Sequence, residues 1–391
     1  MVRLDTAITG GEVVTSLGVK QTDVGILDGK VYCLVPPGTS LDATRVIDAS
    51  NRQILPGCVD VHVHTRDPGL AHKEDFATLS HAAAAGGVTT IMCQPTTVPP
   101  ISTVEMFQQV QEEWPKKSVV DFAIQAMADP EYIHEIPGLL EAGAISMEYL
   151  VPGATGPLMM ELMKVVHENG GLSGLSAGDG GYSQFMRQRL EGEGQQDISA
   201  WISAWPSVNE AVGISRVLLL TEDTPYRFHL HMVSTRRSVE LLRQAKQLGR
   251  NTFSVETSPK YLLLTEEDHR QQGHYSTVLP RFKTKDDNDA VWEGLLDGTI
   301  DMVATDHAPH AREEKDAGAE NLWKAPTGVP EVEISLPLML TQVNKRKLSL
   351  PKVVSIMAEV PAREYGIFPT KGALQVGSDA DVVIVDMAKE G

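Results

Sequence analysis

The sequence predicts an α/β protein built as a (β/α)8 TIM barrel, with a small β-sandwich domain formed by the N-terminal segment and the C-terminal end. Two observations predict this fold. From about residue 52 the 391-residue chain repeats a strand, a loop and a helix, and eight strand candidates follow one another. Strands that alternate with helices are typical of parallel βαβ units, and eight such units in roughly 250 residues close a barrel.

The segments outside the barrel predict the second domain. Residues 1–50 contain short apolar runs separated by turn signals, among them Asp28-Gly29, a typical hairpin turn. Residues 377–386 read as one more strand, which we expect to pair with the N-terminal β unit. We therefore assign residues 1–54 plus 366–391 to the small β domain, expected to be incomplete at its C-terminus, and 55–365 to the barrel.

The individual barrel elements follow from hydrophobic periodicity. The predicted strands are 58–64, 88–94, 119–126, 144–150, 171–176, 227–233, 252–257 and 301–306. The predicted helices include 74–86, 102–113, 157–169, 207–220, 236–248 and 286–296.

Composition excludes several classes of function. The formal net charge of -18 argues against nucleic acid or an anionic membrane as a partner, because binding phosphate needs clustered Lys and Arg. No apolar run approaches the roughly 20 residues that span a bilayer. The three cysteines form no CxxC pair, which favours a reduced, cytoplasmic location.

Three strand ends carry metal-ligand residue types. His62 and His64 end one apolar strand and point to the same side, because strand side chains alternate. Taken alone, such a pair is more often a set of hydrogen-bonded strand histidines. His231 and Asp306, however, end two further strands. The C-terminal ends of barrel strands meet at one face, so we expect a single site there.

With these residues placed, the chain resembles the amidohydrolase superfamily, in its cyclic-amidohydrolase branch of dihydroorotases, hydantoinases and allantoinases. The similarity covers nearly the whole chain and is strongest at residues 56–64, 72–76, 86–90 and 301–310. The resemblance implies a hydrolase of carbon–nitrogen bonds in cyclic amides, a small cyclic amide as substrate, and a homodimer or homotetramer.

The resemblance also implies a ligand set. His62, His64, His231 and Asp306 match metal ligands of the family, and Asp306 matches the catalytic base that takes a proton from the attacking water. Three protein ligands with an open position suit a catalytic zinc.

Two family ligands are replaced. The carboxylated lysine of strand four falls on Met147, and the histidine of strand five falls on Ser176. Two cations ~3.5–4 Å apart need a shared anionic ligand. We therefore expect one Zn²⁺ per chain and no carboxylated lysine. Strand alternation is expected to turn Glu148 away from the site, so that it could bridge only if the register shifts by one residue.

The substrate contacts are inferred from the same resemblance. Arg66 matches the arginine that binds a substrate carboxylate in dihydroorotases, and His310 matches a second carboxylate contact; an ion pair with a nearby acid is the alternative role for Arg66. Thr96 stands where dihydroorotases have asparagine, and Arg281 lies in a segment that resembles a substrate loop. Lys260 stands where relatives have His or Gln and is expected to be solvated, with binding of an anion as the alternative role.

Three hypotheses follow. The first is a metal-dependent hydrolase that opens a cyclic amide or imide with a single metal and a carboxylate-bearing substrate. The second is a catalytically inactive relative of dihydroorotases and dihydropyrimidinases that serves as a structural or binding partner. The replacements at Met147 and Ser176 favour it, whereas the four remaining ligands favour the enzyme. The third is non-hydrolytic chemistry on the same fold.

Overall fold

The chain forms two compact units in the computed structural model, which describes residues 2–149, 156–250 and 252–389. The first unit comprises residues 1–61, 81–91 and 332–391, and the second comprises residues 62–80 and 92–331. The domain boundaries placed at residues 54 and 366 stay a prediction.

After the first seven, most strands of the described residues are followed by helices. They are β1 (Leu4–Thr9), β2 (Glu12–Thr15), β3 (Gly18–Gln21), β4 (Asp23–Leu27), β5 (Lys30–Val35), β6 (Ala43–Asp48), β7 (Gln53–Pro56), β8 (Cys58–His64), β9 (Val88–Gln94), β10 (Asp121–Ile124), β11 (Ala126–Met127), β12 (Met147–Tyr149), β13 (Ser173–Ser176), β14 (Phe228–His231), β15 (Phe253–Thr257), β16 (Met302–Val303) and β17 (Val382–Val385).

The helices connect the barrel strands and complete the first unit. They are α1 (Phe76–Ala85), α2 (Val104–Glu113), α3 (Ile136–Glu141), α4 (Gly156–Glu168), α5 (Gly180–Gly192), α6 (Ile198–Ser203), α7 (Ser207–Leu220), α8 (Arg236–Gln247), α9 (Pro259–Leu263), α10 (Glu266–Gln272), α11 (Lys285–Asp297), α12 (Arg312–Asp316), α13 (Ser335–Asn344), α14 (Leu350–Val354) and α15 (Val360–Glu364). In the described residues, none of them has both the length and the apolar character needed to traverse a bilayer.

The first unit contains a β-sandwich. One sheet has the strand order β5-β4-β1-β6 and the other has the order β17-β7-β2-β3. Side chains from both sheets form one core, with Ile8 and Val24 from the first and Val13 and Ile54 from the second. Strand β17 pairs antiparallel with β7, which confirms that the C-terminal segment returns to the N-terminal β unit.

The barrel strands follow one another in sequence order. One sheet has the order β10-β9-β8, and β11 to β16 form a second, in which successive strands pair in parallel. A parallel bridge joins Val63 of β8 to His307, just after β16, and His64 N donates to His307 O at 2.8 Å. The first and last strands therefore meet, and the predicted TIM barrel with its β-sandwich is confirmed.

The strand bounds differ from the predicted ones where the backbone leaves regular pairing. The predicted strand 119–126 is divided at Gln125, whose N–H donates to Cys93 O at 3.0 Å. The predicted strand 301–306 ends after Val303, because the following residues turn at Asp306, where φ is 50°. Of the predicted strand 144–150, residue 150 lies outside the described residues.

Candidate metal centre

Strand β8 delivers two histidines to the C-terminal face of the barrel. The Nε2 atoms of His62 and His64 lie 3.6 Å and 3.0 Å from Oδ1 of Asp306. One donor atom of each of these three residues lies within 4.8 Å of the others. Burial lowers the pKa of His64 to about 4, so its imidazole is neutral at pH 7, as a metal ligand must be.

Asp306 occupies a strained backbone position three residues after the end of β16. Its φ of 50° is in the left-handed region, which few residues other than Gly, Asn and Asp adopt. Burial acts to raise its pKa, but the ammonium of Lys260 and the rings of His64 and His62 outweigh burial and lower the pKa to about 2. Asp306 is therefore a carboxylate at neutral pH, available as a ligand or a base.

Hydrogen bonds behind the two histidines fix their orientation. Nδ1 of His62 lies 2.6 Å from Oε1 of the fully buried Glu256, whose other oxygen lies 3.0 Å from Nε2 of His229. Nδ1 of His64 lies 2.7 Å from Oγ1 of Thr96. Each histidine thus turns its Nε2 toward Asp306, and the Glu256 carboxylate behind His62 raises the basicity of that ring as a ligand.

The charges around His62 favour a cation. Burial acts to lower the pKa of His62, but the carboxylates of Glu256 and Asp306 outweigh burial and raise it to about 9. Two carboxylates therefore attract positive charge to this point, and a metal ion would displace the proton of the ring.

His231 and Glu148 form a second buried group beside the first. His231 Nε2 lies 3.2 Å from Glu148 Oε2, and the rings of His231 and His62 are 4.6 Å apart. Within the described residues, Glu148 Oε2 and both ring nitrogens of His231 lack a hydrogen-bond partner. Burial raises the pKa of Glu148 and lowers that of His231. Buried oxygen and nitrogen atoms without a hydrogen-bond partner are suited to bind a cation.

The neighbouring strands hold the Glu148 carboxylate in place. Oε1 accepts hydrogen bonds from Ser146 Oγ at 2.6 Å and from Gln125 Nε2 at 3.0 Å. Gly174 of β13 leaves the space that the carboxylate occupies, since a Cβ there would lie 2.0 Å from Glu148 Oε2. The neighbouring strands thus leave room for the Glu148 carboxylate inside the barrel and hold it by hydrogen bonds.

Two sequence-based expectations about charged residues are wrong. Glu148 was expected to point away from the site, but its carboxylate contacts His231 and accepts a hydrogen bond from Ser146, the residue before β12. Lys260 was expected to be solvated, but only 2% of its side chain is exposed. Its Nζ lies 3.0 Å from Glu331 Oε2 and 3.6 Å from Asp306 Oδ2.

The two replaced family ligands lie on different strands. Met147 is fully buried on β12, on the face opposite Glu148. Ser176 ends β13 and is paired in register with His231 of β14. Its side chain lines a cavity of about 890 Å³ and offers no imidazole at this position.

The predicted substrate residues fall into separate groups. Arg66 and His310 lie together: Arg66 Nε donates to Pro309 O at 3.2 Å, and Nη2 lies 3.4 Å from His310 Nε2. Burial, with nearby Arg66 and Lys73, lowers the pKa of His310 to about 4. Thr96 contacts His64, whereas Arg281 lines the cavity that includes Ser176.

Glu256 is the site residue that the sequence reasoning missed. Its signal was a lone carboxylate between Val255 and Thr257 in a predicted barrel strand, where an unpaired buried charge would be costly. Such a carboxylate needs partners, and histidines were already predicted on the neighbouring barrel strands.

Comparisons with known proteins agree with this geometry. The family model described as dihydro-orotase-like matches residues 51–238, and the amidohydrolase family model matches residues 223–390. The chain is 34% identical over 393 residues to an L-hydantoinase of Paenarthrobacter aurescens, covering 98% of this chain and 86% of the relative. It is 36% identical over 389 residues to a dihydroorotase of Lactobacillus gasseri, covering 98% and 89%.

Solved structures give the same result. The L-hydantoinase (dihydropyrimidinase) from Arthrobacter aurescens superposes with a TM-score of 0.92 at 34% identity, covering 96% of this chain and 86% of that one. The dihydropyrimidinase from Brevibacillus agri superposes with a TM-score of 0.90 at 28% identity, covering 97% and 86%. The chain therefore belongs to the amidohydrolase superfamily of metal-dependent hydrolases, in its cyclic-amidohydrolase branch of dihydroorotases and hydantoinases.

Proposed function

We propose that this protein hydrolyses the ring of a cyclic amide or imide with one divalent cation, Zn²⁺, per chain. The observation that carries the proposal is the convergence of His62, His64 and Asp306, with one donor atom of each within 4.8 Å of the others. Three protein ligands with an open position are the usual donor set of a catalytic zinc. His231, beside His62, is the proposed fourth ligand.

The donor count supports one cation. A second cation would rely on His231 and Glu148, because Ser176 supplies no imidazole. Two protein ligands are one fewer than catalytic zinc sites use. The carboxylated lysine that bridges two metals in the family is replaced by Met147, and Glu148 is the nearby carboxylate that could take its place. The Glu148→Gln variant is therefore the sharpest test of the number of metals.

Proton transfer is assigned to Asp306. Its carboxylate takes a proton from the attacking water and passes it to the ring nitrogen as the amide C–N bond breaks. A bound cation would supply Lewis-acid polarisation of the scissile carbonyl and acidify the water. Lys260, 3.6 Å from the other carboxylate oxygen, keeps Asp306 ionised before water binds.

A carboxylate on the substrate ring is the finer part of the proposal. The Arg66 guanidinium offers N–H donors to such a group, and the His310 ring beside it is held by Thr327 O and the Lys73 ammonium. Relatives named dihydroorotase and L-hydantoinase support a ring amide as the reacting group. Thr96 takes part by orienting His64.

The experiment combines metal analysis with ring-opening assays on dihydroorotate and hydantoin. Protein purified without chelator should contain about one zinc per chain, and the Glu148→Gln variant should keep it. Asp306→Asn should lower kcat/KM by about 10²–10⁴-fold, the usual contribution of a positioned base.

Each other outcome contradicts a stated part of the proposal. Two metals per chain that fall to one in Glu148→Gln would contradict the single-metal centre. An Asp306→Asn variant with full activity would remove Asp306 from catalysis. Protein that binds no metal and opens neither ring would favour a structural or binding role.

A further inference from the structure

The cavity beside the proposed metal centre is lined on one side by two tryptophans and a buried arginine. It has a volume of about 890 Å³ and extends from the strand ends at Tyr149 and Ser176 to a pair of tryptophans, Trp201 and Trp323. The tryptophan rings lie 5.7 Å apart. Arg281, which lines the same cavity, is only 4% exposed.

The Arg281 guanidinium is stacked but not hydrogen-bonded at two of its nitrogens. Its Cζ lies 4.0 Å from the centre of the Trp201 ring and 5.8 Å from that of Trp323. Among the described residues, neither Nε nor Nη1 has a hydrogen-bond partner. The aromatic faces attract the cation, but they cannot satisfy N–H donors that lie in the plane of the guanidinium.

The other arginines of this cavity are already paired. Arg216 Nη1 donates to Asp179 Oδ2 at 2.8 Å. Arg187 Nε donates to Glu191 Oε1 at 3.1 Å, and its Nη2 donates to Trp323 O at 3.2 Å. Arg281 is thus the cavity arginine for which no carboxylate partner is found in the described residues, and a buried charge in this state favours an anionic ligand.

We propose that Arg281 and the two tryptophans form a subsite for an anionic side chain of the ring substrate, with a carboxylate as the bound group. This inference rests on the proposed ring hydrolysis and adds a substrate class, a cyclic ureide whose side chain ends in a carboxylate. The planar guanidinium binds a carboxylate through two parallel N–H···O bonds. Packing against the tryptophan rings fixes the plane of the Arg281 guanidinium.

The position of the cavity links this subsite to the reaction. Ser176 lines the cavity and is paired in register with the proposed ligand His231. A ring at the metal centre can therefore extend its substituent past the small Ser176 side chain. The subsite is distinct from the Arg66–His310 pair, which lies beside the loop after β16.

The test compares two isosteric substrates, 5-(2-carboxyethyl)hydantoin and 5-(2-carbamoylethyl)hydantoin. Wild-type protein should open the carboxylate substrate with a kcat/KM about 10- to 100-fold higher, as expected for charge-assisted hydrogen bonds to a buried guanidinium. The Arg281→Gln variant should bring the ratio of the two kcat/KM values close to one, mainly by raising KM for the carboxylate substrate.

Arg189→Gln is the matched control. Arg189 is an exposed arginine of α5 whose Nε donates to Glu193 Oε1 at 3.0 Å. It should keep the wild-type ratio. If Arg281→Gln lowers kcat/KM equally for both substrates, the guanidinium only supports the packing of the tryptophans and the inference is overturned.

A binding measurement separates failure of the subsite from failure of the proposed reaction. Glutarate should bind the wild-type protein in a calorimetric titration, and Arg281→Gln should weaken that binding at least about tenfold. If neither hydantoin is opened but glutarate binding still depends on Arg281, the anion subsite stands and the proposed reaction fails. Glutarate binding that is the same in both proteins overturns the subsite, whatever the activity.

Discussion

At the scale of single residues, Glu256 determines which nitrogen of His62 faces the metal centre. Its two oxygens lie within hydrogen-bond distance of His62 Nδ1 and His229 Nε2. Burial acts to raise the pKa of Glu256, but the rings of His62 and His229 outweigh burial and hold the pKa well below its usual range. The carboxylate is therefore ionised and accepts a hydrogen bond from each ring. Without it, His62 is free to turn the wrong nitrogen toward Asp306.

Replacing Glu256 with Gln should lower zinc affinity by about 10–100-fold, the usual effect of losing a carboxylate behind a histidine ligand. The amide of Gln keeps the size of the side chain but can accept from only one of the two rings. Competition with a chromophoric chelator measures the change. Glu240→Gln, an exposed site on α8, is the control, and an unchanged affinity in Glu256→Gln would contradict the orienting role.

Lys260 and Glu331 form a buried ion pair that we expect to be costly to break. Nζ and Oε2 are 3.0 Å apart, with 2% and 5% of the side chains exposed. Lys260→Met should destabilise the protein by about 3–5 kcal/mol, because it leaves Glu331 charged without its partner. The double variant Lys260→Met/Glu331→Gln should recover part of this loss in urea unfolding. If the loss of unfolding free energy in the double variant equals the sum of the losses in Lys260→Met and Glu331→Gln alone, the two residues are not coupled.

The residue scale also shows how far the sequence could predict the site. The grouping of His62, His64 and Asp306 followed from strand alternation and from the common end of barrel strands. Glu148 was misplaced because its orientation depends on the start of a three-residue strand, β12, and a one-residue error reverses every side chain. Lys260 was misplaced because its burial depends on Glu331, 71 residues away in the sequence.

At the scale of elements, helix α7 holds the loop that follows the His231 strand. Glu210 is fully buried on α7 and accepts from the backbone N–H groups of Ser234 and Thr235 at 2.9 and 3.1 Å. The Thr235 hydroxyl donates to the same carboxylate at 3.1 Å. A helix therefore fixes the exit of β14, on which His231 lies.

Glu210→Ala should lower the free energy of unfolding by about 3 kcal/mol, since it leaves buried N–H donors without an acceptor. Denaturant unfolding measures the loss. Glu222→Ala, at an exposed glutamate just after α7, should change stability by less than about 0.5 kcal/mol. Equal losses in the two variants would show that Glu210 does not anchor the loop.

Most elements could be predicted because their periodicity is strong. The predicted strands 58–64 and 88–94 and the predicted helix 207–220 coincide with β8, β9 and α7. The prediction was weakest at β16, where two residues pair regularly before the chain turns toward Asp306. Hydrophobic periodicity indicates that a strand exists, but it does not show where the strand ends. At β16 the end lies just before the left-handed backbone conformation of Asp306.

At the scale of the whole molecule, metal binding should be linked to the stability of the fold. A ligand that binds only the folded chain adds about 4 kcal/mol when its free concentration is a thousand times Kd. Chelator should therefore lower the melting temperature of the zinc-loaded protein in calorimetry. His64→Ala should melt at the same temperature with and without chelator. A wild-type protein indifferent to chelator would contradict a metal centre in the folded state.

The junction of the first and last barrel strands has a consequence for how the protein is made. His62 and Asp306 are 244 positions apart in the sequence (306 minus 62), yet they meet where β8 joins the segment after β16. A ribosome that adds roughly 5–20 residues per second makes them about 12–50 s apart. The emerging chain thus presents a pair of histidines long before their carboxylate exists. The proposed ligand set is complete only after the segment that follows β16 has left the ribosome.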